Sequence, residues 1–325
     1  MTYRKTTLGV ATSVIVSLLA MPALAKSTLR VGTVLAPSDP LMIAAESFKK
    51  EVEAKTKGEV QVLLFPNSQL GDTQNMMDQA QAGGAVATFV EGSRVAPYVP
   101  EFNVLAAPYA FKTVHDLAKF VDTPMFAEMN EQLKAKTGLT LLSFNWYQGA
   151  RHMLTKKPIA KPDDLKGIRI RTIGQPLWIK TIQAMGATPT PLAWAEVYPS
   201  IQTGVIDGAE AQPAAIRGAK LFEVVSHITL TEHIFLMSGL IVSDKWMQSL
   251  SPEHRKIVQE EAVRAGAGAL KANVEQEDQI FAEIKAKGVS ISKIDKTPFA
   301  EAVKPVYTEL GLDKAVADAR KAIGQ

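Results

Sequence analysis

Two arginines alternate with isoleucines in the predicted β-strand Ile168–Thr172, and these residue types at this spacing are suited to binding an anion. A guanidinium group presents a planar fork of N–H donors that matches the geometry of a carboxylate. Side chains two residues apart in a strand share a face, so Arg169 and Arg171 point to the same side. The pattern predicts that at least one of them binds a carboxylate in a cleft. The alternative is that both lie on a half-exposed strand surface.

Glu91 is a second candidate, because it follows the apolar segment Ala85–Val90, which is typical of a strand buried on both faces of a parallel sheet. Open α/β sheets bind their ligands at the carboxyl ends of such strands. The Glu91 carboxylate is therefore expected to accept hydrogen bonds from hydroxyl or amide groups of a ligand. Further aromatic surface near the same cleft is expected from Trp146, Tyr147 and Trp178.

Asp207 and Glu210 could in principle act as a general acid and base in a lyase or hydrolase, but no nucleophile accompanies them. The five histidines are scattered, and HExxH, GxSxG, P-loop and GxGxxG sequences are all absent. The chain has no cysteine, which excludes thiol catalysis and cysteine-ligated metals. The sequence predicts no catalytic residue, no metal and no cofactor, and favours a binding protein over an enzyme.

Strands and helices alternate along the chain, which is typical of α/β architecture with right-handed crossovers. A predicted helix from Val114 to Lys136 and another over Trp194–Gly204 belong to this pattern. Ser251-Pro252 is a strong helix start, and the helical pattern continues from it to about Lys287. Shorter elements are predicted at 29–35, 41–56, 60–65, 76–82, 140–144 and 176–185.

Residues 1–25 have the features of a secretory signal peptide, with Arg4 and Lys5 before an apolar stretch and a small-x-small sequence ending at Ala25. We expect cleavage after Ala25 and export to the periplasm. The formal charge of the whole chain is only +3, and two of its positive charges lie in this signal. The remaining lysines are spread along helices, so a nucleic-acid partner is not expected.

The segment Gly167–Glu223 resembles the ligand-binding core of the solute receptors of tripartite ATP-independent periplasmic (TRAP) transporters, the DctP-like family. The resemblance extends over nearly all of residues 26–325. It implies an α/β, two-lobed periplasmic binding protein of the type II-like class, with the ligand in the interlobe cleft and a long lobe-spanning helix. The implied first lobe comprises 26–148 and 237–276, and the second comprises 149–236 and 277–325. Hinges are expected near Asn145–Gly149 and Leu236–Gly239.

The resemblance also implies roles for both arginine positions. In the family, the second arginine of a K/R-x-R strand forms a salt bridge with the solute carboxylate, and here that residue is Arg171. Arg151 resembles the arginine of an N-G-x-R motif that also reaches the carboxylate, with Gln148 near the usual asparagine. The alternative for Arg151 is a hinge residue hydrogen-bonded to backbone carbonyls. Arg169 is expected to be solvated.

Other pocket positions follow from the same resemblance. Trp194 matches an aromatic residue that lines the pocket, although packing in the core is the alternative. The run Asp207–Pro213 resembles a motif whose asparagine hydrogen-bonds the solute; Ala211 stands at that position, and Gln212 is the candidate substitute. The resemblance also implies ligand contacts at Phe235, and at Ser38 and Asp39.

The predicted function is capture of a small organic acid through an arginine–carboxylate salt bridge, followed by delivery to the TRAP membrane permease subunits. A monomer is expected. The alternative is a similar receptor that serves another uptake or sensing system. The abundance of tryptophan and the absence of asparagine at 211 favour an acid with an apolar or aromatic part, or a compact hydroxy acid, over a large polyhydroxylated sugar acid.

Overall fold

The computed structural model describes residues 26–325, and the predicted signal peptide at 1–25 lies outside the described residues. The first of two sheets has the strand order β2-β1-β3-β10-β4. Strands β1, β2 and β3 are mutually parallel, whereas β10 runs antiparallel to both β3 and β4. The strand bounds are Ser27–Gly32 (β1), Val60–Phe65 (β2), Val86–Glu91 (β3), Leu139–Ala150 (β4) and Phe235–Ser243 (β10).

The second sheet contains six strands in the order β11-β9-β5-β8-β6-β7. Its bounds are His152–Thr155 (β5), Arg169–Thr172 (β6), Thr188–Pro191 (β7), Gly208–Ala211 (β8), His227–Leu230 (β9) and Ser290–Lys293 (β11). The chain passes from the first sheet to the second at Arg151 and returns between Leu230 and Phe235. The predicted two-lobed α/β architecture is confirmed, while the predicted lobe boundaries and hinges stay predictions.

Six helices follow strands of the first sheet: Pro40–Lys55 (α1), Thr73–Gln81 (α2), Gly92–Val95 (α3), Val114–Val121 (α4), Pro124–Thr137 (α5) and Asp244–Ser249 (α9). The prediction of one continuous helix over 114–136 is wrong. Thr123 accepts a hydrogen bond from the backbone N–H of Phe126 and caps a new helix, in which Pro124 occupies the first turn. Proline is favoured there, because its missing N–H and fixed φ disrupt a helix interior but suit a helix start.

The other helices after Arg151 are Pro176–Ala184 (α6), Val197–Gln202 (α7), Pro213–Gly218 (α8), Pro252–Ala286 (α10), Thr297–Glu309 (α11) and Asp313–Ala322 (α12). The helix predicted over Trp194–Gly204 is a 3₁₀ turn, Trp194–Glu196, followed by α7. Helix α12 returns to the first lobe, where it contacts α4 and the 3₁₀ segment Pro100–Ala106. Its Arg320 donates hydrogen bonds to two backbone carbonyls of this region. The implied second lobe, 277–325, includes this helix, and that boundary stays a prediction.

Helix α10 is 35 residues long and is capped by Ser251, as predicted. It packs on α1 and β4 of the first lobe and then contacts α8 and β11 of the second. Gly266 lies against β4 so closely that an added Cβ would stand 2.0 Å from Oδ1 of Asn145. Asn145 and Asn273 each donate a side-chain hydrogen bond across this contact, at 2.8 Å. None of the helices between residues 26 and 325 combines the length and apolar character that a bilayer span requires.

Candidate functional site

A cavity of about 420 Å³ lies between the two lobes, at the carboxyl ends of β1, β3 and β6. Its first-lobe walls are Thr33, Val34, Leu35, Asp72, Thr73, Gln74, Phe89, Glu91, Arg94, Gln148 and Leu236. Its other walls are Arg151, Arg171, Ile173, Gly174, Gln175, Pro191, Leu192, Ala193, Trp194, Glu196, Gln212 and Ala215. Ligand sites in open α/β sheets are expected at such strand ends, and the volume suits a small molecule.

Arg171 is buried in this cleft, with 5% of its surface exposed. Its Nε and Nη2 donate to the Leu192 carbonyl oxygen at 3.0 and 2.8 Å, which fixes the plane of the guanidinium. The Nη1 group makes no hydrogen bond to any residue between 26 and 325, and no carboxylate there forms a salt bridge with it. Burial lowers the pKa of Arg171 to about 10, so the group remains a cation at neutral pH.

Trp194 stands beside Arg171, with the guanidinium carbon 5.4 Å from the centre of the indole ring. The ring is half-buried and packs against apolar residues of both lobes. Such a contact between a cation and an aromatic face is stabilising and limits the positions open to the guanidinium. The 3₁₀ turn that carries Trp194 is closed by the Glu196 carboxylate, which accepts from the backbone N–H of Ala193 at 3.1 Å.

Arg151 also lines the cleft, but its hydrogen-bonding groups already have protein partners. Its Nε pairs with the buried carboxylate of Glu210, and Nη2 donates to the Glu210 carbonyl oxygen at 2.6 Å. Its Nη1 donates to Oε1 of Gln212 at 2.7 Å. Burial acts to raise the pKa of Glu210, but Arg151 and His233 outweigh it and hold the pKa to about 2. The charge of Arg151 is therefore compensated inside the protein, unlike that of Arg171.

Two glutamine side chains join the lobes at the floor of the cleft. Gln148 donates to the Ser238 hydroxyl at 2.5 Å, so its amide oxygen is left to accept from Nε2 of Gln212 at 3.0 Å. The Oε1 of Gln212 accepts from Arg151, which fixes the orientation of that amide as well. Gln212 precedes the first residue of α8, so its side chain turns into the cleft while its neighbour Ala211 does not.

Glu91 is buried in the cleft wall, as expected for a residue at the end of β3, and 6% of its surface is exposed. Arg94 lies one turn further along the chain, and its Nε is 2.7 Å from Oε1 of Glu91. The two groups are not aligned for a hydrogen bond, and neither atom has another partner among the described residues. Arg94 was not predicted from the sequence. Its spacing of three residues from Glu91 is the signal that could have identified it.

Five predicted contact residues do not line the cleft: Ala211, Trp146, Phe235, Ser38 and Asp39. Ala211 lies in an apolar cluster of the second lobe, and Trp146 packs on Phe89, with ring centres 4.8 Å apart, inside the first lobe. Phe235 faces a small cavity near His233 instead. Ser38 is solvent-exposed, and Asp39 caps α1 by accepting from Leu41 N–H at 2.9 Å. Burial raises the pKa of Asp39 to about 6.

Most of the tryptophan side chains lie outside the cleft, so they offer less support for an aromatic solute than the sequence suggested. Trp178 is fully buried beneath Arg151, with the guanidinium carbon 5.0 Å from its ring centre, and Trp246 lies in the first-lobe core. All four tryptophans lie within the described residues 26–325, and of these only Trp194 lines the cleft.

Asp207 and Glu210, the candidate acid–base pair, do not face a common cavity. Asp207 pairs with the exposed Arg169 through two 2.9 Å contacts, and Glu210 is enclosed by Arg151 and His233. Neither carboxylate lines the interlobe cleft. Within residues 26–325, no group of three or more His, Cys, Asp or Glu side chains is arranged to hold a metal ion.

Residues 31–313 match the family described as bacterial extracellular solute-binding protein, family 7 (DctP). A TRAP periplasmic solute-binding protein from Escherichia fergusonii, solved in an open form without ligand, is 47% identical, with a TM-score of 0.81 over 91% of this chain and 99% of that one. One from Ochrobacterium anthropi with bound L-fuconate is 29% identical, with a TM-score of 0.89 over 92% and 100%. The 2,3-diketo-L-gulonate-binding periplasmic protein of Escherichia coli is 32% identical, over 86% of each chain.

Proposed function

The chain belongs to the DctP family of TRAP periplasmic solute-binding proteins, and we propose that it captures an organic acid through a salt bridge between Arg171 and the solute carboxylate. The observation that supports this most strongly is the state of Arg171 itself. Its guanidinium is buried and fixed by Leu192, yet its charge has no partner among residues 26–325. A buried cation without a counter-ion is costly, and a bound carboxylate removes that cost.

The orientation of Arg171 supports binding through two parallel hydrogen bonds. Nε and one N–H of Nη2 are directed to Leu192, which leaves the second N–H of Nη2 and both of Nη1 for a ligand. Neighbouring N–H groups on Nη1 and Nη2 match the two oxygens of a carboxylate. Trp194 lies against the same guanidinium and provides an apolar wall beside the solute.

Arg151 then has a supporting role in the proposal. Its ion pair with Glu210 and its hydrogen bond to Gln212 fix the glutamine that faces the cleft. We infer that Gln212, rather than Ala211, supplies the amide contact expected at this part of the motif, because its second Nε2 hydrogen has no partner among residues 26–325.

Capture is coupled to closure of the lobes in this mechanism. Glu91, Arg94 and Gln148 come from the first lobe, while Arg171, Trp194 and Gln212 come from the second. A solute that contacts both sets makes all of these interactions only when the cleft is closed, so its binding shifts the population toward the closed form. The open form then exposes Arg171 to entering solute.

The relatives support an organic acid as the solute and transport as the role. L-Fuconate and 2,3-diketo-L-gulonate, the ligands named for two of them, are both carboxylic acids. We propose that this chain is exported, loses residues 1–25, binds its solute in the periplasm as a monomer and passes it to the TRAP membrane permease without chemical change.

A thermal-shift screen of residues 26–325 against organic acids tests this function. A ligand present at about 100 times its Kd adds about 2.7 kcal/mol to the free energy of unfolding, which is readily detected as a rise in Tm. Stabilisation by an acid should disappear in Arg171→Ala. If no organic acid stabilises the protein, or if the shift persists unchanged in the variant, the proposed function is wrong.

A further inference from the structure

We propose that the cleft selects hydroxylated acids that carry a single negative charge and rejects acids that carry two. The proposal deepens the proposed function and rests on it, since it concerns the solute held by Arg171. It identifies Glu91 and Arg94 as the residues that determine this selection.

Among the buried charges in and directly behind the cleft, one positive charge is uncompensated. Asp72 and Glu196 also line the cleft, but they are less buried and each accepts a hydrogen bond from a nearby backbone N–H. Arg151 is neutralised by Glu210, and Arg94 lies 2.7 Å from Glu91. Arg171 has no such partner between residues 26 and 325. The other four charged groups lie close enough to Arg171 to affect its pKa. The carboxylates of Glu210 and Glu91 act to raise this pKa, and the guanidinium groups of Arg151 and Arg94 act to lower it. The five charges therefore form one array.

One carboxylate on the solute completes this array, because it matches the one buried cation of the cleft that has no counter-ion among residues 26–325. A second carboxylate would lie in the same cleft, where the described residues offer no further unpaired cation and the carboxylate of Glu91 lies in the opposite wall. Like charges in a desolvated site repel strongly, and a charge buried without a partner carries a further cost. A dianion is therefore expected to bind about 100-fold more weakly than the matching monoanion, or weaker still.

Glu91 also indicates what the rest of the solute contains. Glu91 lines the cleft, and no described residue donates a hydrogen bond to either of its carboxylate oxygens. Oε1 is buried against Nε of Arg94, which leaves Oε2 as the oxygen that a solute can reach. A buried acceptor of this kind requires a donor, which the solute can supply. Because Arg94 already balances the charge of Glu91, a neutral donor such as a hydroxyl fits better than an ammonium group.

Calorimetric titration with matched pairs of acids provides the test. L-Galactonate and galactarate share their hydroxyl configuration and differ in one terminal group, a hydroxymethyl in the first and a second carboxylate in the second. The same comparison is made for the gluconate–glucarate and mannonate–mannarate pairs. We expect at least one of the three monoacids to bind, and its diacid to bind at least 100-fold more weakly.

A gain of binding in a variant tests the charge balance itself. Glu91→Gln keeps the shape of the wall but releases Arg94, so the ratio of diacid to monoacid affinity should rise at least tenfold. Glu128→Gln removes an exposed carboxylate on α5, outside the cleft lining, and should leave the ratio unchanged. The wild-type ratio is measured without any variant, so it stands even if Glu91→Gln does not fold.

The outcomes separate this inference from the proposed function. If diacids bind as tightly as monoacids and Arg171→Ala abolishes both, the function holds and the charge selection is wrong. If no monoacid of the three pairs binds while unhydroxylated acids do, the hydroxylated class is wrong. If no acid of any kind binds, the proposed function itself is wrong.

Discussion

Replacing Arg171 by alanine removes the one guanidinium of the cleft whose charge has no partner among residues 26–325. Two consequences follow for a bound carboxylate. It loses a bidentate hydrogen-bonded contact, and it remains in a cavity where the other two arginines are already paired with Glu91 and Glu210. The solute then has an uncompensated charge in a site shielded from water.

Loss of one partner of a buried, hydrogen-bonded charge pair costs about 2–5 kcal/mol. Since 1.4 kcal/mol is a factor of ten in Kd, this range corresponds to an increase in Kd of about 30-fold to about 4,000-fold. Arg171 is only 5% exposed, so solvent screening is weak and we expect the upper half of the range. Arg171→Lys should recover only part of the loss, because an ammonium group cannot bond to both Leu192 and a carboxylate with the fork geometry.

Isothermal titration of the wild type and both variants with the same acid measures these changes directly. Arg169→Ala is the matched control, since Arg169 lies two residues away on the same strand but is 45% exposed and paired with Asp207. It should alter Kd by less than about threefold, as expected for an exposed pair. A folded Arg171→Ala protein that binds within threefold of wild type would refute the role given to Arg171.

Three further predictions concern stability. Burial acts to raise the pKa of the Glu210 carboxylate, but Arg151 and His233 outweigh it and lower the pKa from the ordinary 4.5 to about 2. The ionised carboxylate should therefore contribute about 3 kcal/mol to the free energy of unfolding above pH 5, and this contribution should decline as the pH falls toward 2. Denaturant titrations across this pH range will measure the decline. Removing its partner in Arg151→Met should lower the free energy of unfolding by about 3–5 kcal/mol, and a loss below 1 kcal/mol would contradict the buried pair. Gly266→Ala should lower the free energy of unfolding by about 1–3 kcal/mol, because the added Cβ would meet Asn145. Gly268→Ala is the control and should be neutral or stabilising, because the space around Gly268 is open. Equal effects of the two variants on Tm would contradict the close packing of α10 on β4.

The two-lobed architecture and the presence of Arg171 in the cleft could be predicted from the sequence, for a clear physical reason. Strand periodicity placed Arg169 and Arg171 on one face, and the resemblance indicated that Arg171 is the one to expect in the cleft, which it lines in the structure. Periodicity predicts which face of a strand a side chain occupies, but not whether that part of the face lies in the core or in the cleft. Strict alternation predicts that Trp146 and Gln148 share a face of β4, yet Trp146 lies in the core beside Phe89 and Gln148 lies in the cleft, next to a register shift between β4 and β10.

Charge compensation could not be predicted from spacing at all. Arg151 and Glu210 are far apart in sequence, and only the pairing of β5 with β8 brings them together. The resemblance implied that Arg171 and Arg151 both reach the solute carboxylate, whereas in the structure Arg151 is paired with Glu210 and Arg171 has no charged partner among residues 26–325. The break before Pro124 was different, because its signal was present in the sequence and the longer helical periodicity obscured it.

The most direct test of the central claim compares a solute acid with its own primary amide. The two molecules have nearly the same size and differ in the charge that Arg171 is proposed to bind. With the tightest-binding acid from the screen, calorimetry should give a saturable isotherm for the acid and, for the amide at the same concentrations, a Kd at least 100-fold higher. An amide that binds within tenfold of the acid would show that the carboxylate does not hold the solute, and would contradict the proposed salt bridge with Arg171.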